Sequence, residues 1–268
     1  LVVTARDGGG NVATGFTGAV TLQIWYGNGA IGGTLAANAV AGIATFANVY
    51  ATTTNSELRL RATAVGLSPD TTLSFTVVPG APVELRFDTQ PSDEIAGQPI
   101  TPAVTVYAVD AFGNTTPTFA GAVTIALGNN PGGATLTGTT TASPVGQVAT
   151  FSDIGVSSAG VGYTLTANAP GLTGVTSAAF SITLPPATQL AFTVQPAGAL
   201  TGQAIAPPVV VTARDALGNV ATDYTGTVTV AIGANPGGAT LSGTLAVAAV
   251  AGVATFSDLS LNNPGAGY

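Results

Sequence analysis

The chain contains no cysteine, lysine, histidine or methionine. Each absence removes a class of chemistry. Without cysteine there is no disulfide, so the redox compartment is not legible, and no thiolate nucleophile. Without histidine there is no Ser-His-Asp triad and no imidazole ligand for zinc, and without lysine no Schiff base forms. Intramolecular Lys–Asn isopeptide cross-links are excluded on the same ground. The expectation is a chain that is not an enzyme, carries no cofactor or metal, and depends on packing alone.

Charge is scarce too. Charged residues make up 6% of the 268, where roughly 25% is usual for a soluble domain, so the surface must be mostly Thr, Ser, Ala, Gly and Asn. The five cations are all arginines (Arg6, Arg59, Arg61, Arg86 and Arg214), set against twelve acids for a net charge of -7. That balance argues against nucleic acid, whose binding rests on cations neutralising phosphates, and against an anionic membrane surface. Long apolar runs are missing as well: the apolar stretches are broken by Gly, Pro, Thr and Asn, and none approaches the ~18 residues of a membrane-spanning helix. No membrane span is expected in this segment.

What the chain does contain is repetition. Gln90-Pro91 returns as Gln195-Pro196, 105 residues on. The same offset relates Gly97-Gln98 to Gly202-Gln203, Asp110 to Asp215, Gly113-Asn114 to Gly218-Asn219, Asn130–Leu136 to Asn235–Leu241, and Gly162-Tyr163 to Gly267-Tyr268. A more divergent copy opens the chain, with Asp7 and Asn11 matching Asp110 and Asn114 at an offset of 103, and Phe46 and Leu60 matching Phe151 and Leu165 at 105. On this ruler Leu1 falls at the start of a repeat's second strand and Tyr268 at the start of a sixth strand. A segment of a longer array is expected to read this way.

Within one period, β-branched alternation bounded by Gly, Pro and Asn clusters reads as strands. In the middle copy they fall near residues 83–88, 102–109, 121–127, 133–137, 147–151, 162–167 and 177–183. Alternation points Val104, Val106, Ala108, Val123, Ile125, Leu127, Leu136, Phe151, Tyr163, Leu165, Ala167, Phe180 and Ile182 inward. About seven short strands per ~105 residues without helical periodicity describe an all-β chain of tandem immunoglobulin-like β-sandwiches, two and a half repeats in all. Residues 1–80 form a repeat lacking its first strand, 81–186 a complete one, and 187–268 one lacking its last strands. Boundaries fall at Val78-Pro79-Gly80-Ala81-Pro82 and Leu184-Pro185-Pro186-Ala187, semi-rigid joints by composition. Tyr163 stands where such sandwiches place a tyrosine whose hydroxyl bonds to nearby backbone; the first repeat has Leu58 there.

The elements Leu190-x-Phe192-x-x-Gln195-Pro196, Val211-x-Ala213-x-Asp215-x-x-Gly218-Asn219, Gly238–Thr244, Ala254–Leu259 and Gly162–Ala167 recur in order at fixed spacing. The chain resembles, over its whole length, the bacterial Ig-like repeats of large surface proteins, the invasin- and intimin-like group. That resemblance implies an extracellular or cell-surface stalk, fibre or adhesin, with neighbouring copies of itself and other surface components as partners, and it carries no catalytic set. The fold is a generic spacer, so the motifs are specific for the repeat and weak for function.

Few residues depart from the repeat. Trp25-Tyr26, with the sole tryptophan, occupies a position expected to be a loop, where the other copies have Gly128-Asn129 and Gly233-Ala234. Such rings stack on sugars, seal an interface or pack on their own domain end. Arg59 and Arg61 alternate with Leu58 and Leu60 on an expected outer face, where the second repeat has Thr164 and Thr166. Trp25, Tyr26, Arg59 and Arg61 are therefore the candidate interaction residues, for a solvated face, a cross-strand pair or contact with an acidic neighbour. The one adjacent acidic pair, Asp93-Glu94, reads as a solvated loop. The Asp-x-x-Gly-Asn elements read as turns, since calcium wants six to eight oxygens and each offers one carboxylate and one amide. An inter-domain calcium site would have to draw on Glu84, Asp88, Asp153 and Asp258. Asn114-Thr115-Thr116 is a lone glycosylation sequon. The functional expectation is a structural repeat segment of a bacterial surface fibre, stalk or adhesin, a filament-forming polymer among these. The alternatives are a carbohydrate-binding module using Trp25 and Tyr26, or spacer domains of a large secreted hydrolase.

Overall fold

The computed structural model describes every residue from Leu1 to Tyr268 and contains strands, turns and irregular segments but no helix. In its middle third, Glu84–Thr89, Val104–Val109 and Val148–Phe151 form one antiparallel sheet. Facing it, Thr141–Ala142, Val123–Leu127, Leu165–Asn168 and Val175–Thr176 form a second. The inward side chains of the two interdigitate in a cluster of 17 buried residues, among them Val104, Val106, Ile125, Phe151, Tyr163 and Leu165. Leu127 and Leu136 pack at its margin, partly buried. This is sandwich packing: Val, Ile and Leu every second residue give each strand one apolar face, and two such faces close on each other.

Two strands differ from the sequence expectation. The strand expected over 162–167 is broken: Gly160–Tyr163 pairs with Phe180–Thr183, whereas Leu165–Asn168 pairs with Val123–Leu127. Gly162 has φ 88° beside a bulge between Val161 and Tyr163, and a bulge bends the strand and re-aims the residues beyond it. The strand expected over 133–137 shrinks to Leu136–Thr137. Its first half is a turn clamped by Asn130, whose side-chain amide donates to the Ala134 carbonyl at 2.9 Å and accepts the Ala134 N–H at 2.8 Å.

Only half of the acidic pair is the expected solvated loop: Asp93 is exposed and irregular, whereas Glu94 lies in a strand. Glu94–Ile95 is a short strand parallel to Phe180–Thr183, and Asp93 Oδ1 accepts the Ser181 N–H at 2.6 Å. The segment after Gln90-Pro91 thus leaves the first sheet for the edge of a third, small one, in which Phe180–Thr183 lies between Glu94–Ile95 and Gly160–Tyr163.

Two smaller apolar clusters flank the central one. Eight buried residues, including Val209, Val211, Val228 and Phe256, gather around Val209–Arg214 and Val253–Phe256. Five, including Val20, Leu22 and Phe46, gather around Ala19–Tyr26 and its neighbours. No helix is long and apolar enough to cross a membrane.

Candidate functional site

The outer face of the first repeat assembles all four candidate residues. Ala19–Tyr26 pairs antiparallel with Asn55–Ala64, and the register shifts between Ile24 and Tyr26. Trp25 and Tyr26 therefore lie at the end of a strand, on a bulge, and not in the loop expected from sequence. A bulge sets two residues against one on the partner strand; here it presents Trp25 and Tyr26 together, 56% and 55% exposed. On the neighbouring strand Leu58 and Leu60 are buried while Arg59 is exposed and Arg61 half-buried, as alternation requires.

The arginines lie over the rings. The Arg61 guanidinium is 4.4 Å from the Trp25 ring centroid, and that of Arg59 is 5.8 Å from Tyr26. The electron-rich ring face attracts the cation, and guanidinium loses little hydration in stacking. Neither arginine pairs with Glu57; the chain's ion pair is Arg86–Glu84, exposed at 3.5 Å. In the second repeat Gly128 and Asn129 face Thr164 and Thr166: the Asn129 N–H donates to Thr164 Oγ1 at 2.8 Å, and a Cβ on Gly128 would come within 2.7 Å of that oxygen. The bulky ring and the cation on the neighbouring strand thus replace a small pair together. Beside Tyr26 an open cleft of about 340 Å³ is lined by Gly27, Asn28, Asn55, Ser56 and Glu57.

The Asp-x-x-Gly-Asn elements are turns that order backbone. Asp110 Oδ1 accepts the N–H groups of Phe112 and Asn114, each at 2.9 Å, and Gly113 supplies φ 83°. The second of these turns also holds the first joint, a role that sequence reading missed. Asn114 Nδ2 donates to the Thr52 carbonyl at 3.0 Å, Asn114 Oδ1 accepts the Thr54 N–H at 3.3 Å, and Asp110 Oδ2 accepts the Gly80 N–H at 2.9 Å. Tyr50 stacks on Phe112 with centroids 5.8 Å apart. The sequon's asparagine is thus engaged in the joint, and its Thr116 is buried.

Burial opposes the charged form of Asp110, but the Asn114 amide and the N–H groups of Gly80, Asn114 and Phe112 overcome it and lower its pKa to about 2. At the second joint Asp215 keeps the donors of its own turn, Leu217 and Asn219, but the contacts that cross the first joint are missing. Residues 105 further on are Gly155 for Tyr50, Leu217 for Phe112 and Pro185 for Gly80, and proline has no N–H to give. Asn219 there bonds only to Asp215 of its own turn.

The carboxylates named for calcium do not gather. Asp153 accepts the Thr139 N–H and hydroxyl, Asp258 does the same with Thr244, and no three acidic side chains converge anywhere in the structure.

No protein-family model and no curated protein sequence matches the chain. Among solved structures it is similar to domains 4–9 of surface layer protein SbsC, at 16% identity over 98% of this chain and 37% of that one, with a TM-score of 0.30. It is similar also to invasin, described as a bacterial integrin-binding protein, at 15% identity over 98% of this chain and 50% of that one, TM-score 0.38. A beta-glycosidase from Bacteroides vulgatus matches 60% of this chain and 21% of its own at 15% identity, TM-score 0.27. The chain spans half or less of each of these three. At such scores the architecture rests on the strand pairing of the chain itself and not on these neighbours.

Proposed function

We propose that this chain is a non-catalytic structural segment of a bacterial extracellular or cell-surface fibre, stalk or adhesin, with neighbouring copies as its partners. The observation that carries this reading is the first joint, where Asn114, Asp110 and the Tyr50–Phe112 stack tie consecutive repeats together. Such a device has its use where repeats must hold a fixed relative geometry. A chain with 6% charged residues adds little like-charge repulsion to lateral packing. Sedimentation velocity over a wide concentration range tests the reading: species larger than the monomer should grow in with concentration, and a monomer throughout would contradict self-association.

A second reading comes from the exposed Trp25-Tyr26 face and the polar cleft beside it, which suit the apolar face and hydroxyls of a sugar. Trp25 is the only tryptophan, so saturable quenching of its emission by a glycan would support that role. Flat titrations across a broad glycan panel would remove it.

A further inference from the structure

Residues 27–30 link the strands Ala19–Tyr26 and Ile31–Gly32 and contain the one asparagine of the chain that is followed by glycine, Asn28-Gly29. An asparagine side chain is open to attack at Cγ by the backbone nitrogen of the next residue. A following side chain hinders that approach, and glycine has none. Every other asparagine precedes a residue that carries a side chain, and for Asn130, Asn235 and Asn263 that residue is proline, whose nitrogen has no hydrogen to lose. Several are tied as well: the side chains of Asn48, Asn114, Asn129 and Asn219 are all engaged in hydrogen bonds. Asn28 is exposed, and neither its side-chain amide nor the Gly29 N–H makes a hydrogen bond.

The loop requires the residue that leaves this nitrogen unshielded. Gly29 has φ 129°, a conformation that favours glycine, and a Cβ there would come within 2.9 Å of Thr53 Cβ. The neighbouring strand then activates the nitrogen. The Glu57 N–H donates to Asn55 Oδ1 at 2.8 Å, and Asn55 Nδ2 donates to the Asn28 carbonyl at 2.8 Å. Consecutive hydrogen bonds polarise one another. This pair draws electron density from the peptide bond between Asn28 and Gly29 and makes its N–H a stronger acid.

We propose that Asn28 is the chain's site of spontaneous deamidation, and that the reaction places a new carboxylate in the cleft beside Tyr26. The Gly29 nitrogen gives its proton to a solvent base and bonds to Asn28 Cγ. The Cγ–Nδ2 bond breaks, and the amide leaves as ammonia after taking up a proton, which closes a cyclic imide. Water then opens the imide at either carbonyl. The product is an aspartyl residue at position 28, or an isoaspartyl one whose main chain is longer by a methylene. Asn28 and Glu57 line the same cleft, so the reacted face sets two carboxylates where the fresh one has a single carboxylate, and like charges there disfavour an acidic ligand. The proposal does not depend on either reading of function.

The test uses the full chain, kept folded at mildly alkaline pH and sampled over time. A more acidic species should accumulate on anion exchange. In the tryptic peptide 7–59, bounded by Arg6 and Arg59, fragmentation should place the amide-to-acid mass change at position 28 and leave Asn11, Asn38, Asn48 and Asn55 intact. Asn28→Gln should abolish this species without moving the melting temperature. Asn55→Ala should slow its formation several-fold by removing the donor to the Asn28 carbonyl. Unfolding the chain in urea should not accelerate it, because the fold already leaves both reacting groups untied. No mass change at position 28, or a change that forms several-fold faster in urea than in the folded chain, would overturn the proposal. A rate in Asn55→Ala equal to or above the parent's would overturn the activating role of that hydrogen bond.

Discussion

Five aspartates carry the polar side of this fold. Asp7, Asp110, Asp153, Asp215 and Asp258 all have pKa values below the ordinary 3.8. Backbone N–H groups and Asn or Thr side chains donate to the ionised carboxylates. A carboxylate whose folded pKa is depressed contributes stability that is fully present above its unfolded value and is lost as pH falls through the folded one. For Asp110 that window runs from about 3.8 down to about 2. Thermal melts should therefore show the melting temperature falling across this window, and Asp110→Asn, already uncharged, should be less stable near neutrality and decline less. Identical acid profiles for variant and parent would contradict the assignment. Tyr163 offers a second test at this scale. Its hydroxyl donates to the Ser158 carbonyl at 2.8 Å, and Tyr268 repeats the bond to the Asn263 carbonyl at 2.9 Å. Gly132 makes room, since any Cβ there would run into the Tyr163 hydroxyl. Tyr163→Phe should cost roughly 0.5–1.5 kcal/mol in denaturant unfolding, and no loss would mean that the hydroxyl is satisfied equally well in the unfolded chain. This tyrosine was legible because a repeat fixes position. The pinning of Asp93 was not, because its partner Ser181 lies 88 residues away and local composition reads only as loop.

At the scale of elements, the pairing of Ala19–Tyr26 with Asn55–Ala64 creates the one aromatic and cationic face of the chain. Period-2 alternation made the outward aim of Arg59 and Arg61 readable, since Leu58 and Leu60 alternate with them. The bulge at Trp25 was not readable: it is set by two residues facing one across strands more than thirty residues apart in sequence, and glycine at the same point in the other repeats suggested a loop. A double-mutant cycle of Trp25→Ala and Arg61→Ala should return a coupling of roughly 0.5–1 kcal/mol, the range for an exposed cation over a ring. A coupling of zero would make the stacking incidental. The core elements behave differently. Phe151 is 1% exposed in the central cluster, and Phe151→Ala should cost about 3–5 kcal/mol, measured by chemical denaturation. A cost near that of a surface change would show that the two sheets do not close on it.

For the whole molecule, repetition along the chain made the architecture legible and concealed the differences that matter. The two joints read alike as short Pro-containing links, yet Gly80 donates an N–H to Asp110 where Pro185 has none, and the Tyr50–Phe112 stack becomes Gly155 and Leu217. Only the pairing of side chains across the joint distinguishes one from the other. The most direct test is negative-stain electron microscopy of the chain at concentrations where it self-associates. If neighbouring copies are the partners of this chain, assemblies of several chains should grow in as concentration rises. Isolated particles of one chain at every concentration would contradict it.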